Sequence, residues 1–268
     1  MITWFSRKKN QASNGTGTSS DDFVSLSSHE LRSPLSIIKW YTEILLDGDA
    51  GPLTDDQRKY LTVIETSNQR AIDLVRSLLN VSRLDLGTFS ILPQEVSFQE
   101  LLTDATASVS EASSLKNITI AQEVASDLPK IALDKHLALL VIKQLLDNAI
   151  TFSQKNSTIS VIVSLVMPST TIGGVMLTEK SILVTVADYG IGIPKKDQEK
   201  IFSKMFKASN VKDSDGTGSG LGLYTARSIM EQSGGKLWFV SEEGKGSTFY
   251  AAFSASGMPK KEGRTTLD

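Results

Sequence analysis

The sequence of 268 residues contains no cysteine and only two histidines, His29 and His136. Without cysteine, the chain forms no disulfide and no thiolate metal site, which is typical of proteins in a reducing cytoplasm. With two histidines, a histidine nucleophile or metal ligand has few candidates.

Long apolar runs and a strong net charge are also absent. No run of about 18 apolar residues occurs, so we expect no membrane span. The net charge of −2 gives no reason to expect a nucleic acid as partner. The start, MITWFSRKKN, is too short for the apolar core of a signal peptide. We interpret it as a solvated tail, with the cytoplasmic end of a membrane span as the alternative.

Two long helices are predicted after a flexible tail over residues 1–20. Apolar residues then recur at spacings of three and four up to the breakers in DGDAGP. A second helix begins at Thr54, which forms a capping box with Gln57. Because a lone hairpin has little to bury its stripes against, we expect residues 21–87 to dimerise through 21–86 into a four-helix bundle. The stripes are Val24, Leu31, Leu35, Ile38 and Leu45, then Tyr60, Ile64, Ser67, Ala71, Leu74, Leu78 and Val81.

A second domain is predicted over residues 88–257, which gives the chain an α+β fold class. Partly alternating β-branched segments such as STISVIVSLV indicate strands, and helical runs lie between them. The last strands, KLWFVSEEGKGSTFYAAF, form a hairpin that turns on Glu-Gly-Lys-Gly. Together they predict an α/β sandwich, and residues 258–268 are predicted to be a frayed tail.

The segment VADYGIGIP combines a carboxylate at a strand end with two glycines. Asp188 can accept a hydrogen bond from an exocyclic amine, while Gly190 and Gly192 let a flat ring approach the backbone. Asp-Gly-rich turns are common, so this motif alone has a purely structural alternative.

The glycine loop, GTGSGLGLY over residues 216–224, leads directly into a helix. Helix N-termini offer free N–H groups to phosphates. No lysine follows as in a Walker loop, and the position is too late for a dinucleotide fingerprint. A flexible linker is the alternative, but Leu221 and Leu223 indicate a packed turn.

The helix DKHLALLVIKQLLDNAITFS presents Asn148, whose amide oxygen suits a Mg²⁺ ion that already carries phosphate oxygens. The alternative is that Asn148 caps the C-terminus of its helix. His136 lies in the first turn of this helix and is interpreted as structural.

In combination and order, these motifs resemble the Bergerat-type ATP-binding domain of sensor histidine kinases, within the superfamily of gyrase-type and heat-shock-chaperone ATPases. The resemblance covers about residues 21–257 and implies ATP and Mg²⁺ as cofactors, with a lid in IFSKMFKAS (residues 201–209). It implies a cytoplasmic protein, either free or the cytoplasmic part of a membrane-attached sensor. Nucleotide-binding roles are implied for Asn148, Asp188, Gly190, Gly192, Lys207, Gly218, Gly220, Leu221, Gly222, Leu223 and Thr248, with Asn148 on the metal.

The segment FVSLSSHELRSPL resembles the phosphoacceptor box of the same family. The resemblance implies that His29 accepts the γ-phosphoryl group of ATP, assisted by Glu30, and passes it to an aspartate of a response-regulator receiver domain. Pro34 removes an N–H and is expected to bend the helix just past His29. Ser33 stands where many relatives carry a threonine or asparagine for phosphatase chemistry.

Three residues depart from the family pattern, namely Gln144 for an asparagine, Thr151 for a lysine and Lys207 for an arginine. They predict weaker nucleotide binding or slower turnover. Two rival functions remain open at this point. A clamp-type ATPase would need a catalytic glutamate on the nucleotide helix, and residues 137–152 contain none. A degenerate kinase would act as a scaffold through its helical bundle.

Overall fold

The computed structural model describes residues 20–211, 218–263 and 265–267 and, in the first helix, the side chains from Glu30 onward. The predicted N-terminal tail lies outside the described residues, apart from Ser20.

A long helical hairpin opens the fold. Helix α1 (Ser20–Asp47) continues through Pro34, and helix α2 (Asp55–Leu86) returns antiparallel to it. The predicted capping box is confirmed: the Gln57 N–H donates to Thr54 Oγ1 and the Thr54 N–H donates to Gln57 Oε1. Helix α2 ends at Gly87, whose φ of 65° lies in the left-handed region that glycine adopts without strain.

The two helices contact each other through a few polar groups and leave most of their apolar stripe uncovered. The buried Asn68 donates from Nδ2 to the Leu35 carbonyl at 2.9 Å. Several predicted stripe residues remain 39–50% exposed in the single chain, because α1 and α2 alone cannot enclose them. These are Leu31, Ile38, Ile64, Leu74 and Leu78.

The second domain is built on a five-stranded mixed sheet with strand order β2-β4-β7-β9-β8, in which only β2 and β4 pair in parallel. Helix α5 (Lys135–Phe152) packs against both α3 (Phe98–Ser108) and α6 (Gly222–Gln232), and all three helices contact the sheet. A short helix α4 (Ser110–Leu115) follows α3. The strands are β1 (Gln94–Val96), β2 (Thr119–Val124), β3 (Ile131–Leu133), β4 (Thr158–Val166), β5 (Thr170–Ile172), β6 (Val175–Leu177), β7 (Ser181–Ala187), β8 (Lys236–Glu242) and β9 (Gly246–Ser254).

Strand alternation divides the sheet into two faces. On β9, Phe249, Ala251 and Phe253 face the main core, while Tyr250 and Ala252 face a smaller cluster around Trp238. The β5–β6 hairpin, which the sequence patterns did not indicate, covers that cluster, and Trp238 donates from Nε1 to the Ile172 carbonyl at 3.1 Å. The predicted two-layer α/β domain and its closing hairpin are confirmed.

The prediction of a frayed tail over residues 258–268 is wrong for the part that the structure describes. Met258 and Leu267 are buried, and isolated bridges join Phe89 to Thr265 and Ile91 to Lys261. The segment is polar and has no period of its own, so only its packing against residues distant in sequence orders it. We call the described residues of this segment, 258–263 and 265–267, the strap.

None of the helices within the described ranges is both long and apolar enough to span a bilayer.

Candidate nucleotide and phosphoacceptor sites

Asp188 is a buried carboxylate at the end of β7. Its Oδ1 accepts from the backbone N–H of Gly190 at 2.8 Å and of Ser247 at 3.2 Å. Burial raises the pKa of the Asp188 carboxyl, and these two hydrogen bonds oppose the rise. Because both bonds end on Oδ1, Oδ2 can accept from a ligand such as an exocyclic amine.

The two glycines after Asp188 are required by close backbone contacts. A Cβ on Gly190 would lie 2.3 Å from the Phe152 carbonyl oxygen at the end of α5. A Cβ on Gly192 would lie 2.0 Å from the Glu242 carbonyl oxygen, and the φ of Gly192 is +63°. The Asp-x-Gly-x-Gly segment is therefore wedged between α5 and β8, which holds the Asp188 carboxylate in one place.

Helix α5 brings Asn148 to the side of the glycine loop. A Cβ on Gly222, the first residue of α6, would lie 2.2 Å from Gln144 Oε1. Asn148 follows Gln144 by one helical turn and shares its face. The alternative that Asn148 caps α5 is not supported, because α5 runs on to Phe152 with Ser153 at the cap position.

The glycine loop is a packed turn, as its leucines predict. Leu221 is buried, and Leu223 packs against the main core. Gly218 and Gly220 adopt positive φ values of 79° and 70°. Gly216 and Thr217, at the start of the loop, lie outside the described residues.

The lid lies directly on this loop. A Cβ on Gly220 would approach the Met205 carbonyl carbon to 2.7 Å. At its far end the lid is held by Asp197, whose carboxylate accepts from both the N–H and the hydroxyl of Ser209 at 2.7 Å. These two hydrogen bonds lower the pKa of Asp197. Lys207 lies between these anchor points and is exposed.

The lid and α6 also contact the helical hairpin. Asp85, near the end of α2, forms an ion pair with Lys204 of the lid and accepts from the Tyr224 hydroxyl at 2.5 Å. Burial acts to raise the pKa of Asp85, but the hydrogen bonds from Lys204 and Tyr224 outweigh it and lower the pKa. One carboxylate therefore joins α2 to both the lid and the first turn of α6.

Thr248 does not lie with the other predicted nucleotide-site residues. Because successive side chains of a strand point to opposite faces, Thr248 lies on the face of β9 opposite to Phe249, which is in the main core. Thr248 therefore shares the face of Tyr250, away from that core. The residue that contacts Asp188 is its neighbour Ser247, which is buried and also lies against Ser241. In GSTF the two hydroxyl residues are adjacent, and only the strand register distinguishes them.

Lys116 is a second residue that the sequence patterns did not identify. Its Nζ donates to the carbonyls of Ile150 at 2.8 Å and Thr151 at 2.6 Å in the last turn of α5. A cation at this end satisfies free carbonyls and complements the helix dipole. The ammonium group of Lys116 therefore lies next to the backbone of Thr151, although Lys116 itself belongs to the turn before β2. Position 151 is the one at which the family pattern described above has a lysine.

The predicted phosphoacceptor residues lie in α1. His29 falls within the helix, and the neighbouring Glu30 and Ser33 are exposed. His136 has a structural contact instead, since its Nε2 lies 3.0 Å from the Leu267 carbonyl oxygen of the strap.

Two families match the sequence in the same order as the two structural domains. The His Kinase A (phospho-acceptor) domain matches residues 19–87. The family described as "Histidine kinase-, DNA gyrase B-, and HSP90-like ATPase" matches residues 133–256.

Curated relatives include the sensor histidine kinase WalK of Bacillus subtilis, 29% identical over 85% of this chain and 35% of WalK. The signal transduction histidine-protein kinase BarA of Escherichia coli is 29% identical over 85% of this chain and 24% of BarA. The chain therefore spans about a third or less of the length of these relatives.

Solved structures share the fold over most of this chain. Full-length ShkA in complex with AMPPNP has a TM-score of 0.69 at 24% identity, covering 90% of this chain and 47% of ShkA. Histidine kinase ThkA in complex with response regulator protein TrrA has a TM-score of 0.57 at 21% identity, covering 90% of this chain and 61% of that one.

We predict that Asp188→Asn lowers ATP affinity by roughly 10- to 100-fold, because an amide can present a donor to the adenine amine in place of an ionised acceptor. The same change should raise folded stability at pH 7. Since the folded-state pKa of Asp188 is raised, the folded protein holds this proton more tightly, and stability falls as pH rises through that pKa. Calorimetry with ATP and thermal unfolding between pH 4 and 7 measure both effects.

Thr248→Ala is the matched control, because Thr248 lies on the opposite face of the sheet. It should leave ATP affinity within about twofold of wild type. Unchanged ATP affinity in a folded Asp188→Asn protein would contradict the role of this carboxylate.

Proposed function

The chain belongs to the sensor histidine kinases, and from this premise we propose that it phosphorylates His29 with ATP and passes the phosphoryl group to an aspartate of a response-regulator receiver domain. The observation that carries the proposal is the buried carboxylate of Asp188 at one end of a site whose other end is the glycine loop. This site follows, in the same chain, a helix that bears the sequence His-Glu-Leu-Arg-Ser-Pro. Cytoplasmic localisation is part of the proposal.

We place the adenine of ATP against Asp188, Gly190 and Gly192, where backbone forms the walls. The phosphates then lie at Gly218, Gly220 and the start of α6, where free N–H groups and the helix dipole favour negative charge. Lys207 of the lid supplies a further positive charge near the γ-phosphate. The positions of Gly222 beside Gln144 and of Gly220 beneath Met205 support this assignment.

Magnesium suits this site in the chemistry of its donors. Asn148 offers a neutral amide oxygen, and no group of three or more histidine, aspartate or glutamate side chains that could hold a metal occurs in the part of the chain that the structure describes. Mg²⁺ commonly binds through substrate phosphates with few protein ligands. We therefore infer that Asn148 is the protein ligand of an ion that, when bound, neutralises charge on the phosphates.

In the proposed reaction, a neutral imidazole nitrogen of His29 attacks the γ-phosphorus of ATP. A P–N bond forms, the bond from the γ-phosphorus to the bridging oxygen breaks, and ADP leaves with that oxygen. Glu30 accepts a hydrogen bond from the other ring nitrogen and takes its proton as the ring acquires positive charge. Positioning and charge neutralisation carry most of the catalysis in such transfers.

We propose a homodimer through residues 21–86. The exposed apolar stripe of the hairpin supports it, because packing two hairpins into a four-helix bundle would bury that stripe. Ser33 is one turn after His29, so we also propose that it orients water for dephosphorylation of the receiver domain.

One experiment distinguishes the two rival functions from the proposed kinase function by the products formed from ATP. A clamp-type ATPase releases free phosphate and forms no phosphoprotein, and a scaffold does neither. Incubation with radiolabelled ATP, followed by acid treatment of the labelled protein, separates all three functions, because phosphohistidine is labile in acid.

His29→Ala should abolish the acid-labile phosphoprotein and leave ATP affinity within a few-fold of wild type, because His29 and the nucleotide site belong to different domains. His136→Ala is the matched control, since His136 is the only other histidine. It should keep the label and lose some stability with its contact to Leu267. Label retained on the His29→Ala protein would overturn the assignment.

Glu30→Gln should slow autophosphorylation by on the order of 10²–10⁴-fold, the usual contribution of a general base. Ser33→Ala should spare autophosphorylation and lower dephosphorylation of the cognate receiver domain. Both rates can be followed with labelled protein. The division of roles fails if Ser33→Ala stops autophosphorylation while dephosphorylation persists.

Leu74→Glu should dissociate the dimer, because Leu74 is an exposed member of the apolar stripe. Trp40→Glu is the control, since Trp40 is exposed on α1 but lies off the stripe. Light scattering at micromolar concentration measures the mass of each. A monomeric wild-type chain would refute the bundle and leave the stripe unexplained.

A further inference from the structure

The strap covers the junction between the helical hairpin and the nucleotide-binding domain. The junction is short, because α2 ends at Gly87 and Phe89 is already fully buried. We define residues 88–91 as the linker. The strap lies along this linker for its whole length, through the bridges from Phe89 to Thr265 and from Ile91 to Lys261.

Backbone hydrogen bonds hold the strap to the linker. The Ser90 N–H donates to the Thr265 carbonyl at 2.9 Å, and Ile91 and Lys261 exchange N–H to carbonyl bonds of 2.9 and 3.1 Å. A Cβ on Gly263 would lie 2.3 Å from the Phe89 carbonyl carbon, so the two backbones touch at this point. The approach requires glycine because no space exists for a side chain.

The strap also contacts α2 and the nucleotide-binding domain on either side of the linker. Arg83 of α2 donates from NH1 to the Thr266 carbonyl at 2.8 Å. Lys261 donates to Gln232 Oε1 at the end of α6 and lies 4.2 Å from the ring centroid of Phe89. Gln232 in turn donates to the Leu84 carbonyl of α2 at 3.1 Å. One segment therefore joins α2, the linker and α6.

In the arrangement that these contacts stabilise, the proposed nucleotide site and His29 lie at different levels along α2. Contacts from Asn68 to Leu35 and from Arg58 to Leu46 place the backbone of His29 about level with Leu74 of α2. Asp85, which binds the first turn of α6 and the lid, lies about 16 Å further along α2, at a rise of about 1.5 Å per residue. Attack on phosphorus needs the reacting atoms about 3–3.5 Å apart.

Transfer in the proposed reaction therefore requires movement along α2. In a dimer whose two-fold axis runs parallel to the helices of the bundle, both copies of His29 lie at the same level along that axis. The partner chain therefore does not shorten the distance along α2 between His29 and Asp85. Domain movement requires rotation at Gly87 and the linker, and it requires the Arg83–Thr266 and Gln232–Leu84 contacts to break.

We propose that the strap is an internal brace that restrains autophosphorylation by holding the linker and the nucleotide-binding domain in this non-transferring arrangement. A change that loosens the strap is then an activating change. The inference rests on the proposed function for its kinetic consequence, but the bracing of the linker does not depend on any activity.

Gly263→Ala tests the brace, because its methyl group cannot be seated against Phe89. We expect faster hydrogen exchange at the Ser90 and Ile91 amides, whose acceptors lie in the strap. At saturating ATP, we expect autophosphorylation to be faster by on the order of fivefold or more, with ATP affinity within about twofold. Lys260→Ala is the control, since Lys260 is an exposed strap residue whose ion pair with Glu262 is long, at 3.8 Å. It should change neither quantity.

A chain that ends at Gly257 provides a second variant and should behave like Gly263→Ala. Unchanged or slower autophosphorylation in both variants, with ATP affinity retained, overturns the restraint. Unchanged exchange at Ser90 and Ile91 in both overturns the brace itself. If the wild-type chain forms no phosphohistidine, the proposed function fails, and the exchange measurement still decides whether the strap braces the linker.

Discussion

The proposed nucleotide site depends on a single buried carboxylate. Asp188 lies at the end of β7, where two backbone N–H groups, from Gly190 and Ser247, hold one of its oxygens. An ionised group in such a place costs stability, and burial raises its pKa accordingly. A buried carboxylate that is retained despite this loss of stability can select a ligand by accepting a hydrogen bond from it.

The glycines around this carboxylate act by allowing backbone to touch backbone. Gly192 lies against Glu242 of β8, Gly190 against the end of α5, and Gly220 against Met205 of the lid. These contacts connect the proposed adenine end, the proposed phosphate end and the lid into one packed unit. The leucines of the glycine loop anchor it to the core, so the loop is shaped before any ligand binds.

The junction between the domains is equally well packed. Asp85 joins α2 to the lid and to α6 through Lys204 and Tyr224, and the strap encloses the linker next to it. The lid, which lies on the glycine loop, therefore shares one carboxylate with α2, the second helix of the hairpin. A change in domain position must alter the lid, and this gives the two domains a physical means of communication.

The sequence alone predicted the helical hairpin and the α/β domain, because helix spacing, caps, glycines and strand patterns are local properties. It also predicted roles in nucleotide binding for Asp188, the glycine loop and Asn148. Tertiary structure alone decided the rest. Strand register placed Ser247 rather than Thr248 at Asp188, and packing brought Lys116 to the end of α5. The strap has no pattern of its own, and only contacts with Phe89 and Ile91, far away in sequence, order it.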